Sequence, residues 1–342
     1  MEGSVRRREG VSTVNDQVSL KGRNLLGLDD LSEAELVYLL DLAEDFKRKK
    51  RQGIRGDALR RKNIALIFEK SSTRTRCAFT VAARDEGGQS EYLGTHDIHF
   101  GKKESIADTA RVLGRMFDGI AFRGFKQDTV VQLAAHSGIP VWNALTDEWH
   151  PTQILADLLT IREHFGKLKG LKVVYIGDGR NNVANTLMMG CARSGMHFVD
   201  CAPAELAPSA ALCRDVSVMA AKRGGSVTVT TNPLEAVKGA HVLYTDVWVS
   251  MGEEAKFDER LKLLRPYQIN MELIRQTGHL ESGQVIFLHC LPAFHDYKTE
   301  LTREIGPLEV TDDVFEAPFS KVFEEAENRV HTIKAVMVSS LT

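Results

Sequence analysis

The chain has 342 residues, 43% hydrophobic and 26% charged, with a formal net charge of −2; that is room for two ordinary domains and too little basic excess for a general nucleic-acid binder. Its five cysteines (Cys77, Cys191, Cys201, Cys213, Cys290) are an odd number without a C-x-x-C pair, which fits free thiols in the cytoplasm and not a disulfide framework. No apolar run approaches the ~20 residues that a membrane span requires.

Residues 1–20 carry Arg6, Arg7 and Arg8 but also Glu2, Glu9 and Asp16. With neither an h-region nor an amphipathic face, they read as a mobile tail and not a targeting peptide. "DDLSEAELVYLLDLAEDFKRKK" is a helix opened by a Ser32/Glu35 capping box, with Leu36, Leu39, Leu40, Ala43 and Phe46 on one face. The basic "KRKKRQG" after it is a solvated helix end near the negative dipole terminus. "NIALIF" has the continuous apolar character of a buried parallel strand. A helix from Thr73 to Glu86, a strand centred on Tyr92, a helix from Ser105 to Phe117, the strand "GIAF", a helix from Asp128 to Ala135 and the strand "IPVWNA" follow. Pro151 opens the next helix at its first turn.

The second half repeats this alternation. "KVVYIG" and "HFVDCA" flank a helix from about Asn182, and "SVTVTT", "HVLYTD" and "VIFLHC" are further strands. The last helix, Ser320 to Leu341, sets Val322, Ala326, Val330, Ile333 and Met337 at helical spacing. The expected fold is α/β, with two doubly wound parallel-sheet domains over residues 21–155 and 156–319. Residues 320–342 are expected to pack back on the first domain.

Polar residues follow the strands. Phe68 leads to Ser72, Thr73, Arg74 and Thr75; Phe122 to Arg123; "VWNA" to His150 and Gln153. Ile176 leads to Asp178 and Asn182, Tyr244 to Asp246, and Leu288 to His289 and Cys290. Ligands of open α/β sheets bind outside the carboxyl ends of the strands, so the active site is expected in the cleft between the domains.

"SSTRT" sits where a strand turns into a helix, offering free backbone N–H groups, hydroxyls and a guanidinium to a phosphate. A capped helix alone would need one hydroxyl. There is no G-x-x-x-x-G-K-[ST] for a P-loop. "IGDGRNN", with Asp200 closing the next strand, suggests a nicotinamide dehydrogenase, but Asn182 replaces the third glycine. A binding module without catalysis is a third possibility, marked by tight anion binding without turnover. "LHCLPAFHD" puts Cys290 after a buried strand and breaks it at Leu291-Pro292, an X-Pro bond that can be cis. Cys290 lacks a triad partner and reads as a substrate contact. "DVWVSMGEE" gathers Asp246, Ser250, Met251 and an exposed Trp248, an acid and a hydroxyl suited to an ammonium–carboxylate substrate. His96, Asp97 and His99 in "HDIHFG" lack a further nearby ligand, so no metal is expected.

Together, "SSTRTR", "FRGF", "HPTQ", "DVWVSMGE", "HCLPAFH" and "ENRVHTIKAVM" resemble the ornithine carbamoyltransferase family from about Asn24 to the C-terminus. S-T-R-T and H-P-T-Q mark carbamoyltransferases generally; the S-M-G loop and H-C-L-P are more specific. The resemblance implies a carbamoyl-phosphate-binding domain (21–155) and an ornithine-binding domain (156–319), assembled as a homotrimer or a multiple of trimers. It implies transfer of a carbamoyl group from carbamoyl phosphate to the δ-amine of L-ornithine, giving citrulline and phosphate in arginine metabolism, with no cofactor. Putrescine is the nearest alternative acceptor. Ser72, Thr73, Arg74 and Thr75 would hold the phosphate, and Arg123, His150 and Gln153 the carbamoyl group. Asn182, Asp246, Ser250 and Met251 would bind the amino acid. Cys290 and the Leu291 carbonyl would lie between the substrates, and Arg329 would close on carbamoyl phosphate. His99, where many bacterial members have Gln, would reach a neighbouring subunit's phosphate.

Overall fold

Apolar runs of four to six residues, bounded by polar turns, form two parallel sheets. A computed structural model describes residues 18–98, 103–249 and 254–342; His99, Ser250, Met251 and residues 1–17 lie outside this set. The first sheet contains β1 (Asn63–Phe68), β2 (Gln89–Leu93), β3 (Gly119–Arg123) and β4 (Val141–Leu145) in the order β2-β1-β3-β4. The second contains β5 (Lys172–Ile176), β6 (His197–Cys201), β7 (Ser226–Thr230), β8 (Val242–Thr245) and β9 (Ile286–His289), ordered β7-β6-β5-β8-β9. Every pairing is parallel. The residues of β3, β8 and β9 are all buried, as helices on both faces require, while the edge strands β2 and β7 stay half open.

The helices start where their caps dictate. Ser32 Oγ accepts the Glu35 N–H at 3.2 Å and Glu35 Oε2 accepts the Ser32 N–H at 2.7 Å, so the capping box of helix Glu33–Arg51 is complete. Pro151 occupies the first turn of helix Pro151–Phe165, whose residues 151–161 are all buried. Such burial on every side suits a helix that packs against both β4 and the helix Asn182–Arg193 of the second half.

The C-terminal helix, Val322–Leu341, packs on the helices Glu33–Arg51, Thr73–Asp85 and Pro151–Phe165. Its contacts include a buried polar seam. Lys47 Nζ donates to Asn328 Oδ1 at 2.6 Å and to Glu163 Oε2 at 2.7 Å, and Asn328 Nδ2 donates to Thr160 Oγ1 at 2.9 Å. Lys334 Nζ reaches Asp85 Oδ2 at 2.9 Å, and Trp142 Nε1 donates to Ser340 Oγ at 3.1 Å. Lys47 is 4% exposed, so water cannot replace its partners. Lys47→Met is therefore expected to lower the unfolding free energy by about 2 kcal/mol, the range for lost hydrogen bonds to a charged group, with the half-exposed Glu163 limiting the loss. Urea denaturation checks it; an unchanged midpoint would mean that the seam contributes nothing net.

Candidate active site

The carboxyl ends of both sheets face one cleft of about 750 Å³. Ser72, Thr73, Arg74, Arg123 and His150 line it from the first sheet's side. Asn182, Asp246, Cys290 and Leu291 line it from the second, and Arg329 reaches it from the C-terminal helix. The two switch points of strand order, β1/β3 and β5/β8, open onto this cleft, where an open α/β sheet leaves a crevice for ligand.

Ser72 caps helix Thr73–Asp85, its Oγ accepting the Thr75 N–H at 3.2 Å. Thr73 is exposed to the cleft. Thr75 is fully buried and turns the other way, accepting a hydrogen bond from Arg329 Nη2 at 2.6 Å. Arg74 Nη2 donates to the Leu291 carbonyl at 2.6 Å, bridging the two sides. Arg123 and Arg329 are buried, and each leaves its Nε without a hydrogen-bond partner among the described residues. Neither they nor Arg74 form a salt bridge among the described residues.

The electrostatic consequences are large. Burial, then the neighbouring Arg329 and Arg74, lower Arg123 to about 10; burial and Arg74 lower Arg329 to about 10. Both stay charged at neutral pH. Burial and the same three arginines push His150 well below its usual value, so its imidazole is neutral. Its backbone N–H is held by Thr186 Oγ1 at 2.9 Å. One end of the cleft is therefore lined by a cluster of cations.

Asp246 marks the other end. Its Oδ1 accepts the Cys290 thiol at 3.0 Å and the Val247 N–H at 2.7 Å, and its Oδ2 accepts from Asn181 at 3.3 Å. Burial and Asp246 push the Cys290 thiol well above its ordinary value, which keeps it protonated and excludes a resting thiolate nucleophile. The turn beyond β9 is built for this placement. Leu291 adopts φ 59°, the Leu291-Pro292 bond is cis, and the Leu291 N–H donates to His289 Nδ1 at 2.9 Å. His289 Nε2 in turn faces Glu309 at 3.2 Å. Asp246, His289 and Cys290 bring ligand-type atoms within 4.8 Å of one another, but each is already engaged in these hydrogen bonds.

Other expectations need adjustment. Trp248, read as exposed, is buried while also lining the cleft, because its indole packs into the apolar cluster of the second domain that includes Val174, Leu243 and Phe287. Gln153 stands behind His150, outside the lining, with Nε2 donating to Asp157 and Glu325. Asn182 lines the cleft and donates to the Thr146 carbonyl at 2.5 Å. The dehydrogenase alternative fails physically. Asp200 is fully buried, and a Cβ on Gly179 would meet its Oδ1 at 2.4 Å, so no ribose can reach it. Asp97 closes a turn by accepting the Gly94 N–H. Lys70 also lines the cleft; as the cation directly before "SSTRT", it was open to detection in the sequence.

Comparisons with known proteins agree with this geometry. Residues 23–163 match the family model "Aspartate/ornithine carbamoyltransferase, carbamoyl-P binding domain", and residues 169–340 match "Aspartate/ornithine carbamoyltransferase, Asp/Orn binding domain". The chain is 58% identical to a protein of Bacillus licheniformis named "Ornithine carbamoyltransferase, catabolic", covering 96% of this chain and 99% of that one. It is 54% identical to an Enterococcus faecalis protein of the same name, over 94% and 96%. The structure of ornithine carbamoyltransferase from Pyrococcus furiosus superposes with a TM-score of 0.87 at 42% identity, covering 95% of this chain and 98% of that one.

Proposed function

Because the chain belongs to the aspartate/ornithine carbamoyltransferase family, we propose that it transfers the carbamoyl group of carbamoyl phosphate to the δ-amine of L-ornithine, releasing L-citrulline and phosphate. The observation that carries this reading is the polarity of the cleft: Arg74, Arg123 and Arg329, without a salt-bridge partner among the described residues, at one end, and Asp246 at the other. Such a cleft suits a dianion beside an ammonium-bearing amino acid. Relatives named catabolic support arginine metabolism as the setting.

In this reading Ser72, Thr73, Arg74 and Thr75 form the phosphate side, with Arg329 closing on it. Arg123 and the neutral His150 donate to the carbonyl oxygen, and Gln153 belongs to the carbamoyl side. Asn182 and Asp246, with Ser250 and Met251, take the amino acid, and Cys290 and Leu291 lie between the substrates. Arg74 now holds the Leu291 carbonyl, so an arriving phosphate would draw the guanidinium away and free that acceptor. His99 would serve a neighbouring subunit's phosphate.

The δ-amine attacks the carbonyl carbon, negative charge gathers on its oxygen, and the C–O bond to phosphate breaks as the amine's proton passes to the leaving phosphate. Fixed donors at a developing oxyanion supply about 3 kcal/mol each. Carbamoyl phosphate is already activated, so this chemistry calls for no cofactor. The amine must be neutral to attack. A free δ-amine with a pKa of ~10.4 would add about 4 kcal/mol at pH 7.5. Three guanidinium groups nearby disfavour a second ammonium and lower that cost. Asp246 would oppose this at the δ end. Its Oδ1 already accepts from the Cys290 thiol and the Val247 N–H, whereas Oδ2 holds one longer hydrogen bond from Asn181 at 3.3 Å, which supports its pairing with the α-ammonium through Oδ2.

A homotrimer or a multiple of trimers fits the family resemblance. The groove of Arg76, Cys77, Arg84 and Tyr92 on the outer side of the phosphate helix supports a neighbour seated there; a monomer by light scattering overturns that assembly. A cytoplasmic location is supported by five cysteines that form no disulfide. Among the described residues no helix is long and apolar enough to cross a membrane.

The function is tested by incubating the protein with carbamoyl phosphate and, in parallel, ornithine, putrescine, acetylornithine and aspartate. Citrulline from ornithine should dominate; a preference for putrescine overturns the substrate, and no turnover with any amine favours a binding module. The pH profile tests the mechanism. The ornithine kcat/KM should rise about tenfold per pH unit below neutrality and level off well under ~10.4. Because the Cys290 thiol stays protonated, its titration cannot shape this limb, and Cys290→Ser should keep the same slope. A flat profile from about pH 6 to 9 in the parent enzyme would rule out rate-limiting use of the neutral amine.

A further inference from the structure

Arg123 differs from the other two arginines of the cleft in how it is held. Arg74 is aimed by the Leu291 carbonyl and Arg329 by the Thr75 hydroxyl, each through its own guanidinium. The Arg123 guanidinium has no such anchor among the described residues, and its Nε is buried without a partner. Arg123 nevertheless lines the cleft and is 7% exposed. A side chain without a terminal partner is directed by the backbone that carries it. What fixes the main chain at the end of β3 therefore fixes where this cation stands.

Regular pairing stops at that point. β1 and β3 are in register as far as Phe68 and Arg123, and β3 slips against β4 between Phe122 and Arg123. Beyond the slip, single bonds from two neighbours hold the turn. From the β4 side, the Leu145 carbonyl accepts the Gly124 N–H at 2.9 Å, and the Asp147 N–H donates to the Phe125 carbonyl at 2.8 Å. From the β1 side both bonds belong to Glu69. Its N–H donates to the Arg123 carbonyl at 2.8 Å, and its Oε2 accepts the Phe125 N–H at 3.1 Å. Gly124 lies between the two, and a Cβ on it would overlap the same Oε2 and the Phe122 ring. Only glycine lets the carboxylate come this close. Lys70, next in the chain, is engaged elsewhere: its Nζ pairs with Asp147 at 2.6 Å and lies 4.2 Å from the Phe125 ring centre.

We propose that Glu69 is a positioning residue for Arg123: it clasps the turn after β3 through its main chain and its carboxylate, and so sets where the guanidinium meets the carbonyl oxygen of the transferred group. The inference rests on the proposed function, in which Arg123 donates to that oxygen. Glu69 does not line the cleft, so it acts through the turn and touches no substrate. A donor serves a developing oxyanion only when it already stands about 3 Å from where the charge appears. A misplacement of about 1 Å costs roughly a hundredfold in rate.

The role is one of reach and not of charge, and two substitutions separate these. Glu69→Gln removes the charge and keeps an acceptor oxygen at the same distance along the side chain. Glu69→Asp keeps the charge but withdraws it by one methylene. The Phe125 bond has little length to spare, since ordinary N–H···O bonds end near ~3.2 Å. The shorter carboxylate therefore loses it.

The test compares the parent with both variants, measuring kcat, KM for each substrate and inhibition by inorganic phosphate. Glu69→Asp should lower kcat about tenfold or more, while ornithine KM and phosphate inhibition stay within about twofold, because the groups at the two ends of the cleft keep their places. Glu69→Gln should keep kcat within about threefold of the parent. A Gln variant as impaired as the Asp variant, an Asp variant with the parent kcat, or a loss shared equally by kcat, ornithine binding and phosphate binding would each overturn the proposal. If Glu69→Asp does not fold, Glu69→Ala, which also removes the acceptor, carries the same expectation. Failure of both to fold would make Glu69 a residue of stability and overturn a positioning role. A parent without carbamoyl transfer overturns the functional reading and this inference together; an active parent that fails these comparisons overturns this one alone.

Discussion

Arg74, Arg123 and Arg329 share one cleft without a salt bridge among the described residues, and the rest of the structure is arranged around that repulsion. Arg123 and Arg329 each lose basicity to burial and to a neighbouring arginine. Pairing each with a carboxylate would relieve the strain and also cancel the field that a phosphate dianion needs. The fold uses neutral acceptors instead: the Leu291 carbonyl for Arg74 and the Thr75 hydroxyl for Arg329. Neutral oxygens orient a cation without discharging it. Burial, with the same field, keeps His150 neutral, so a donor stands next to the cations without adding to their repulsion.

Holding such a cluster requires stiff support, and the C-terminal helix supplies much of it. Along its buried face run Glu325, Asn328, Arg329, His331 and Lys334. Asn328 is bonded to Lys47, Thr160 and Glu163, and Lys334 to Asp85. Arg329 therefore enters the cleft between two turns fixed by polar contacts to three other helices. A buried polar seam is orientation-dependent in a way that apolar packing is not, since a small rotation of the helix would leave charged groups unpaired. Rotation would also carry Arg329 away from Thr75. Stability and catalytic geometry are thus properties of the same residues.

Strand ends carried most of the legible signal. Each parallel strand reads as a short apolar run, and the polar residue after it must lie on the sheet's carboxyl edge, so Arg74, Arg123, Asp246 and Cys290 could be gathered before any coordinates. Local signals with a short reach, such as the Ser32/Glu35 capping box, were equally readable. Contacts across long sequence separations were not. Glu325 belongs to a helix whose periodicity reports only a buried face, and nothing in that pattern says that Gln153, 172 positions earlier, supplies its partner. Trp248 sits in a polar, glycine-bearing stretch that reads as surface; its packing against the apolar residues of the second sheet makes it core. The dinucleotide-like "IGDGRNN" misleads for the same reason, because the burial of Asp200 under Gly179 is set by packing and not by spacing.

The cleft divides its chemistry by proton affinity. At the cationic end Arg74, Arg123 and Arg329, with Ser72 and Thr73, offer donors, which suits an oxyanion and a leaving phosphate. At the other end Asp246 accepts, but one oxygen is covered by a thiol that burial and Asp246 itself keep protonated. Cys290 is therefore a weak donor to Asp246, and a thiolate there would have added a second anion beside it. The other oxygen, Oδ2, carries one longer hydrogen bond, from Asn181 at 3.3 Å. In the proposed reaction an amino acid with ammonium groups at both ends would meet opposite charge at its two ends. Its α-ammonium would pair with Asp246 Oδ2, while its δ-nitrogen would enter a field that favours loss of its proton. The orientation of the substrate and the activation of its nucleophile would then follow from one charge gradient.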